Sequence, residues 1–167
     1  MGDVHRAFSE HEKARERYEE AIIIYREIGE RVGEANCIQG LGDVHWALSE
    51  HEKARERYEE ALIIYREIGD RVGEANCIQG LGDVHQAFSE HEKARERYEE
   101  AIIIYREIGD RVGEANCIQG LGDVHRAFSE HEKARERYEE ALLIFREIGD
   151  AEGQAGCLRS LGRNSKS

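Results

Sequence analysis

A twenty-residue phrase, GDVHxAxSEHEKARERYEEA, begins at Gly2 and returns at Gly42, Gly82 and Gly122, so the chain is written on a fixed period of 40 residues. Periodicity at this scale restricts the fold more than any motif does. A unit of that length cannot bury an apolar face by itself, and successive units must stack to build one continuous core. The register divides the chain into a partial unit over 1–29, full units over 30–69, 70–109 and 110–149, and a partial unit over 150–162, followed by a polar tail over 163–167. Residues 1–162 are read as a single array.

Each full unit carries two helical patterns. In the second, Ala54, Tyr58, Ala61, Leu62, Tyr65 and Ile68 recur at steps of three and four, while Arg55, Arg57, Glu59 and Glu60 fill the opposite face. Ser49 followed by Glu52 reads as a capping box at its start, and Gly69 as a left-handed stop at its end. Asp70 then caps the next unit's first helix, whose stripe is Val72, Ile78, Leu81, Val84 and Phe88. Gly73, Gly80 and Gly82 weaken that helix by about 0.5–1 kcal/mol each, which makes sense if a neighbouring backbone approaches closely there. The Arg/Glu runs predict solvated faces stitched by pairs such as Arg55–Glu59 and Lys53–Glu56. Gly2–Phe8 reads as the second half of a first helix lacking its first half, and Ala151–Gly162 as a first helix lacking its second half. The expectation is an all-α solenoid of antiparallel helix pairs, with seven full helices and a partial helix at each end.

Composition narrows the function. The net charge of −12 repels phosphate backbones and anionic lipid, so neither nucleic acid nor a membrane surface is an expected partner. The longest apolar run in a unit is the five-residue AIIIY from Ala21, far short of the roughly 18 a membrane span needs. With no secretory leader in the opening residues, a cytoplasmic location is expected. Cys37, Cys77, Cys117 and Cys157 share one register position, so neighbours should lie about 10 Å apart by helix-packing distances, beyond the ~7 Å limit of a disulfide. No Cys-x2-Cys or His-x3-His pair offers zinc a site, and His45 and Cys37 are expected to pack between helices, with His51 in the turn. Gly40-x-Gly42-x-x-His45 lacks the third glycine of a dinucleotide loop, and His51-Glu52 has Arg55 where a zinc protease needs its second histidine. With no nucleophile elbow or phosphate-binding lysine motif either, no enzymatic activity and no cofactor are expected.

Leu41-Gly42, Ala54-x3-Tyr58 and Ala61, together with Ile38 and His45 at the positions of the usual aromatic and Tyr, resemble the tetratricopeptide repeat. The unit departs from it in those two residues, in the absence of a terminal proline, and in being longer than the common form. Units of 40 residues are similar to those of kinesin light chains, Leu-Gly-Asn-type modulators and arrays attached to nucleotide-binding receptor ATPases. The resemblance implies a right-handed superhelix whose first helices line a concave groove holding a peptide or protein segment.

Comparing the units with one another isolates one radical column, Arg6, Trp46, Gln86 and Arg126, between flanks identical in all four. On a helical wheel this column falls on the face away from the core stripe, beside an asparagine, a glutamine and an aspartate of each first helix. The candidate peptide-binding residues are therefore Arg6, Asn36, Gln39, Asp43, Trp46, Asn76, Gln79, Asp83, Gln86, Asn116, Gln119, Asp123 and Arg126. Amides there would serve a peptide backbone, and the variable column would choose the side chain. The ladder Asp3, Asp43, Asp83 and Asp123 points to a cationic partner with an apolar centre, while Asp3 and Asp123 would hold Arg6 and Arg126. The expected role is a non-catalytic protein-interaction scaffold. A fragment of a larger signalling or nucleotide-binding receptor, a self-associating structural unit stacked weakly head to tail, and a designed array are the alternatives.

Overall fold

The computed structural model describes residues 2–165, with side chains from residue 7 onward. Among the described residues the chain forms eight helices: α1 (Gly2–Ile28), α2 (Arg31–Ala47), α3 (His51–Ile68), α4 (Arg71–Ala87), α5 (His91–Ile108), α6 (Arg111–Ala127), α7 (His131–Glu147) and α8 (Ala151–Asn164). They group into two compact units, residues 1–84 and 85–167, the division falling near the end of α4. In the first, α2 packs against α1 on one side and α3 on the other; in the second, α6 packs against α5 and α7, and α7 against α8.

Two kinds of tight turn separate the helices. Gly69 sits at φ +73°, and the Asp70 N–H donates back to the Tyr65 carbonyl at 2.9 Å, closing α3 in the left-handed cap that its sequence predicts. Asp110 and Asp150 then accept from the N–H of Gly113 and Gly153, and Asp70 from that of Gly73. The other turn differs from expectation. Ser49, Ser89 and Ser129 do not cap the helix that follows; they take φ of 58–60° and end the helix before, with the Glu50 N–H donating to the His45 carbonyl at 2.8 Å. Glu50 becomes the N-cap residue, and its carboxylate turns back to His45 Nδ1 at 2.5 Å and Lys53 Nζ at 3.0 Å instead of capping α3.

The turn is not made at Ser9, and α1 is one helix where a remnant and a full helix were expected. A serine in the left-handed region costs about 1–2 kcal/mol, which the complete units offset by packing the helix that it ends. At Ser9 the backbone stays helical and avoids that cost. At the other end, α8 extends past Gly162 because Asn164, placed by sequence in the polar tail, is buried: its Nδ2 donates to the His131 carbonyl at 2.8 Å. Lys166 and Ser167 lie outside the described residues.

The core follows the apolar stripes with one trimming. Ile78, Leu81 and Val84 are buried, whereas Val72 and Phe88, at the two ends of the same stripe, are exposed. The first-helix glycines face aromatic rings and not backbones. A Cβ on Gly42 would stand 2.8 Å from the Tyr58 ring and one on Gly80 2.9 Å from its other edge; Gly40 meets Tyr18 at 2.6 Å, and Gly120 meets Tyr98 at 2.7 Å. Charges also pair across helices. Glu34, nearly buried, accepts from Arg26 at 2.8 Å and Arg31 at 2.7 Å, and the pattern returns at Glu74 with Arg66 and Arg71 and at Glu114 with Arg106 and Arg111. On the helix surfaces Lys53 pairs with Glu50, in place of the expected Lys53–Glu56, and Arg55 pairs with Glu52, each three residues back.

Two outcomes follow from this packing. Gly122→Ala, which puts a Cβ 2.5 Å from the Tyr138 ring, should lower stability in a thermal melt by about 1–3 kcal/mol, the reverse of the usual gain on filling a helix glycine. The second concerns acid. Burial pushes the Glu34 carboxyl up, but Arg26 and Arg31 outweigh it and hold the group below its ordinary value; Lys53 and His45 do the same to Glu50, and His85 and Lys93 to Glu90. Carboxyls depressed in the folded state contribute stability above their unfolded value of about 4.3 and lose it as pH falls through the lower folded value. The melting temperature should therefore hold near neutrality and decline below about pH 4.5, with Glu34→Gln flattening the decline.

Candidate functional site

The tyrosines that fill the glycine notches have a second role at their hydroxyl ends. Tyr58, its ring between Gly42 and Gly80, donates to Asp43 Oδ1 at 2.8 Å. Tyr65 shares its hydroxyl between Asn36 Oδ1 at 2.8 Å and Gln39 Oε1 at 2.9 Å. Burial first, and the facing carboxylate next, raise the Tyr58 hydroxyl above its usual range; burial also raises Asp43, against the Tyr58 hydrogen bond. These phenols therefore stay protonated and act as donors that fix the side chains of α2. In the first unit the structure brings Asn36 and Gln39 together on one tyrosine and sets Asp43 on the next.

Trp46 lies one turn beyond Asp43. It is half-buried, and its ring packs on His51 at the start of α3, with centroids 4.8 Å apart and planes tilted by 51°. The ring thus has a structural neighbour that the wheel did not provide for. Asn76, Gln79 and Asp83 lie half-buried along α4, on the face away from the buried Cys77, Ile78, Leu81 and Val84.

In the second unit the same tyrosine logic recurs with different partners. Tyr98 donates to Gln86 Oε1 at 2.9 Å, and Tyr138 to Asp123 Oδ1 at 2.7 Å. Arg126 reaches the same Asp123 oxygen at 3.1 Å, so this aspartate is paired where Asp43 has a tryptophan alongside. The Arg6 and Asp3 side chains lie outside the described residues. Asn116 and Gln119 open onto a cleft of about 330 Å³ completed by Asp150, Glu152, Gly153 and Gly156. Gly156 stands where α2, α4 and α6 carry asparagine, and its missing side chain makes the room. Two amides and two carboxylates converge there, a lining suited to a cationic or hydrogen-bonding segment.

Sequence reasoning placed these polar residues but missed the tyrosine hydroxyls that orient them. The signal was present in the 16-residue spacing from Gly42 to Tyr58, repeated at Gly122 and Tyr138, which pairs a notch with a ring. The cysteines are free; Cys77, Cys117 and Cys157 are buried and Cys37 is half-exposed. Burial pushes Cys77 up to about 12 and Cys157 to about 11, and Cys157 Sγ lies 3.6 Å from Gln119 Oε1. Thiol titration with an aromatic disulfide near pH 8 should therefore report Cys37 ahead of the others, with the remaining three reacting fully only after denaturation.

The sequence pattern described as tetratricopeptide repeat matches residues 1–67, 34–107 and 74–147. No curated protein sequence matches the chain. Among solved structures, the chain is similar to a tetratricopeptide repeat sensor of a signal-transduction ATPase with numerous domains from Pyrococcus horikoshii, at 20% identity and TM-score 0.82, covering 97% of this chain and 25% of that one. It is similar to a Rap protein complexed with Competence and Sporulation Factor, at 16% identity and TM-score 0.81, covering 98% and 46%. A putative kinesin light chain from Podosopora anserina with nearly identical repeats matches at 16% identity and TM-score 0.73, covering 97% and 82%. The chain spans less than half the length of the ATPase and Rap chains.

Proposed function

The chain belongs to the tetratricopeptide repeat family, and on that premise we propose that it is a non-catalytic scaffold holding a peptide or protein segment against the polar faces of its first helices. The observation that carries this reading is the set of tyrosine-braced polar side chains found in each unit. Asn36, Gln39, Asp43, Asn116, Gln119 and Asp123 lie outside the apolar core, and hydroxyls of buried tyrosines hold four of them. Preorganised polar groups lose little conformational freedom on binding, which favours recognition of an extended backbone.

Among these residues we place the strongest contact at Asp43 and Trp46, in the first unit. A carboxylate one turn from a half-buried indole complements a segment with an apolar centre flanked by Lys or Arg. Asp150 and Glu152, beside Asn116 and Gln119, provide a second acidic position for the same chemistry. The complex of the similar Rap protein with Competence and Sporulation Factor fits a fold that accommodates a bound partner.

Selection of a random peptide library on the whole chain tests the reading, with Trp46, the sole tryptophan, as an intrinsic fluorescent reporter. Enriched peptides should be cationic with an apolar centre and should shift the Trp46 emission. Trp46→Ala should weaken their binding at least tenfold, about 1.4 kcal/mol, with helicity unchanged. Peptides that bind Trp46→Ala and Asp43→Asn as tightly as the unaltered chain would overturn the site.

A further inference from the structure

Between consecutive second helices runs a groove that the candidate peptide-binding residues do not line. In residues 1–84 it is a cleft of about 510 Å³, floored by Leu41 and His45 of α2, with Ile22 and Ile23 of α1 on one wall and Lys53 and Glu56 of α3 on the other. Arg26 of α1 spans it to Glu60 of α3 at 2.5 Å, and in residues 85–167 Arg106 of α5 reaches Glu140 of α7 at 3.5 Å in the same way. Every residue lining the first groove has an identical counterpart two periods further on, in α5, α6 and α7. Helices α5 and α7 have further helices of the chain on both sides, so the groove belongs to the repeat and not to an end of the sequence.

What the groove leaves unmatched is aliphatic and negative. Ile23 and Ile103 are 59% and 60% exposed, beside the buried Ile22 and Ile102. The lining cations are answered within the chain: Arg15 by Glu12, Lys53 by Glu50 at 3.0 Å, and Arg26 and Arg57 by Glu60. Glu19 and Glu56, exposed on facing walls, enter no ion pair among the described residues, and neither do Glu99 and Glu136.

We propose that the grooves between second helices form another interaction surface, which docks a cationic amphipathic helix of a partner protein. An aliphatic side chain of that helix lies on Ile23 or Ile103, and Lys or Arg residues on its flanks reach the carboxylates of the two walls, Glu19 and Glu56 or Glu99 and Glu136. Long basic side chains suit such a place, because their methylenes cover apolar surface while the charged head reaches the rim. Charge decides the occupant. A second copy of the chain carries −12 and presents the same unmatched carboxylates, so copies repel one another at this face, as nucleic acid and anionic lipid also would. The surface uses neither Asp43 nor Trp46 and stands independently of the peptide-binding reading.

Fluorescence anisotropy tests it with a labelled lysine–leucine peptide that is amphipathic when helical, and with the glutamate–leucine peptide of the same pattern. The whole chain carries Asp43→Asn and Trp46→Ala throughout, so that binding at the first helices does not contribute. The lysine peptide should bind and the glutamate peptide should not. Two sets of changes at exposed positions then separate the contacts, with helicity checked by circular dichroism. Replacing Glu19, Glu56, Glu99 and Glu136 by Gln should weaken binding about tenfold or more, and so should Ile23→Ser with Ile103→Ser, which leaves the charge unaltered. Loss with the glutamines but not with the serines would mean diffuse attraction to an acidic chain and overturn the proposal. So would a lysine peptide that fails to bind, or one that binds both sets as tightly as their parent. Self-association of the peptide-free chain in sedimentation equilibrium that disappears with Ile23→Ser and Ile103→Ser would assign the groove to a second copy and overturn it as well.

Discussion

Everything in the array depends on an aromatic ring set into a glycine notch. Tyr58 alone touches two first helices, with Gly42 on one side and Gly80 on the other, so one side chain fixes α3 against both. The glycines that admit it cost those helices about 1 kcal/mol each in propensity, while burying a large side chain returns about 1.5–3 kcal/mol. The first helices therefore owe their stability to neighbours more than to themselves, which is the condition for nearest-neighbour cooperativity in repeat proteins. The same ring connects stability to the candidate site. Its hydroxyl emerges beside Asp43, so the contact that locks the core also aims a surface carboxylate.

The ionic clamp around Glu34 supplies what ring packing does not, a directional constraint on how consecutive helices meet. Arg26 reaches it from the end of one helix and Arg31 from the start of the next, and removing one partner would leave a nearly buried carboxylate short of compensation. The final helix shows that the clamp is a unit. In α8, Ala151 stands in place of the second arginine and Gln154 in place of the glutamate, with Gln154 Nε2 donating to the Phe145 carbonyl at 3.3 Å. With one cation gone, a neutral amide satisfies the site where a carboxylate would not.

Much of this was legible in the sequence because repetition averages out local ambiguity. The period, the helix pairs, the left-handed glycine at Gly69 and the aspartate cap at Asp70 each follow from short-range chemistry stated several times over. The failures share one cause. Ser49 satisfies the capping-box pattern for α3, yet α2 claims it as a left-handed terminator; local sequence cannot say which of two abutting helices takes a shared residue. The same sequence then stays helical at Ser9, so the residues of the turn alone do not decide it. For the site, a helical wheel sorted polar from buried positions on each first helix. It could not show that tyrosines of the other helix reach through the core to hold them, because that depends on ring length and the glycine notch across from it.

Near-identity of the units makes their differences informative, and the variable column acts in two ways at once. Asp43 and Asp123 occupy the same register position and both accept from a tyrosine. Arg126 adds an ion pair to Asp123, whereas Trp46 brings no counter-charge to Asp43 and supplies an aromatic surface next to it. A residue three positions beyond a repeated aspartate thus decides whether that aspartate has a cationic neighbour. In the proposed binding role, substitution at this column alone would change which aspartate attracts a cation without touching the tyrosines and glycines on which folding rests. That separation lets a repeat array diversify its surface while its core stays nearly constant.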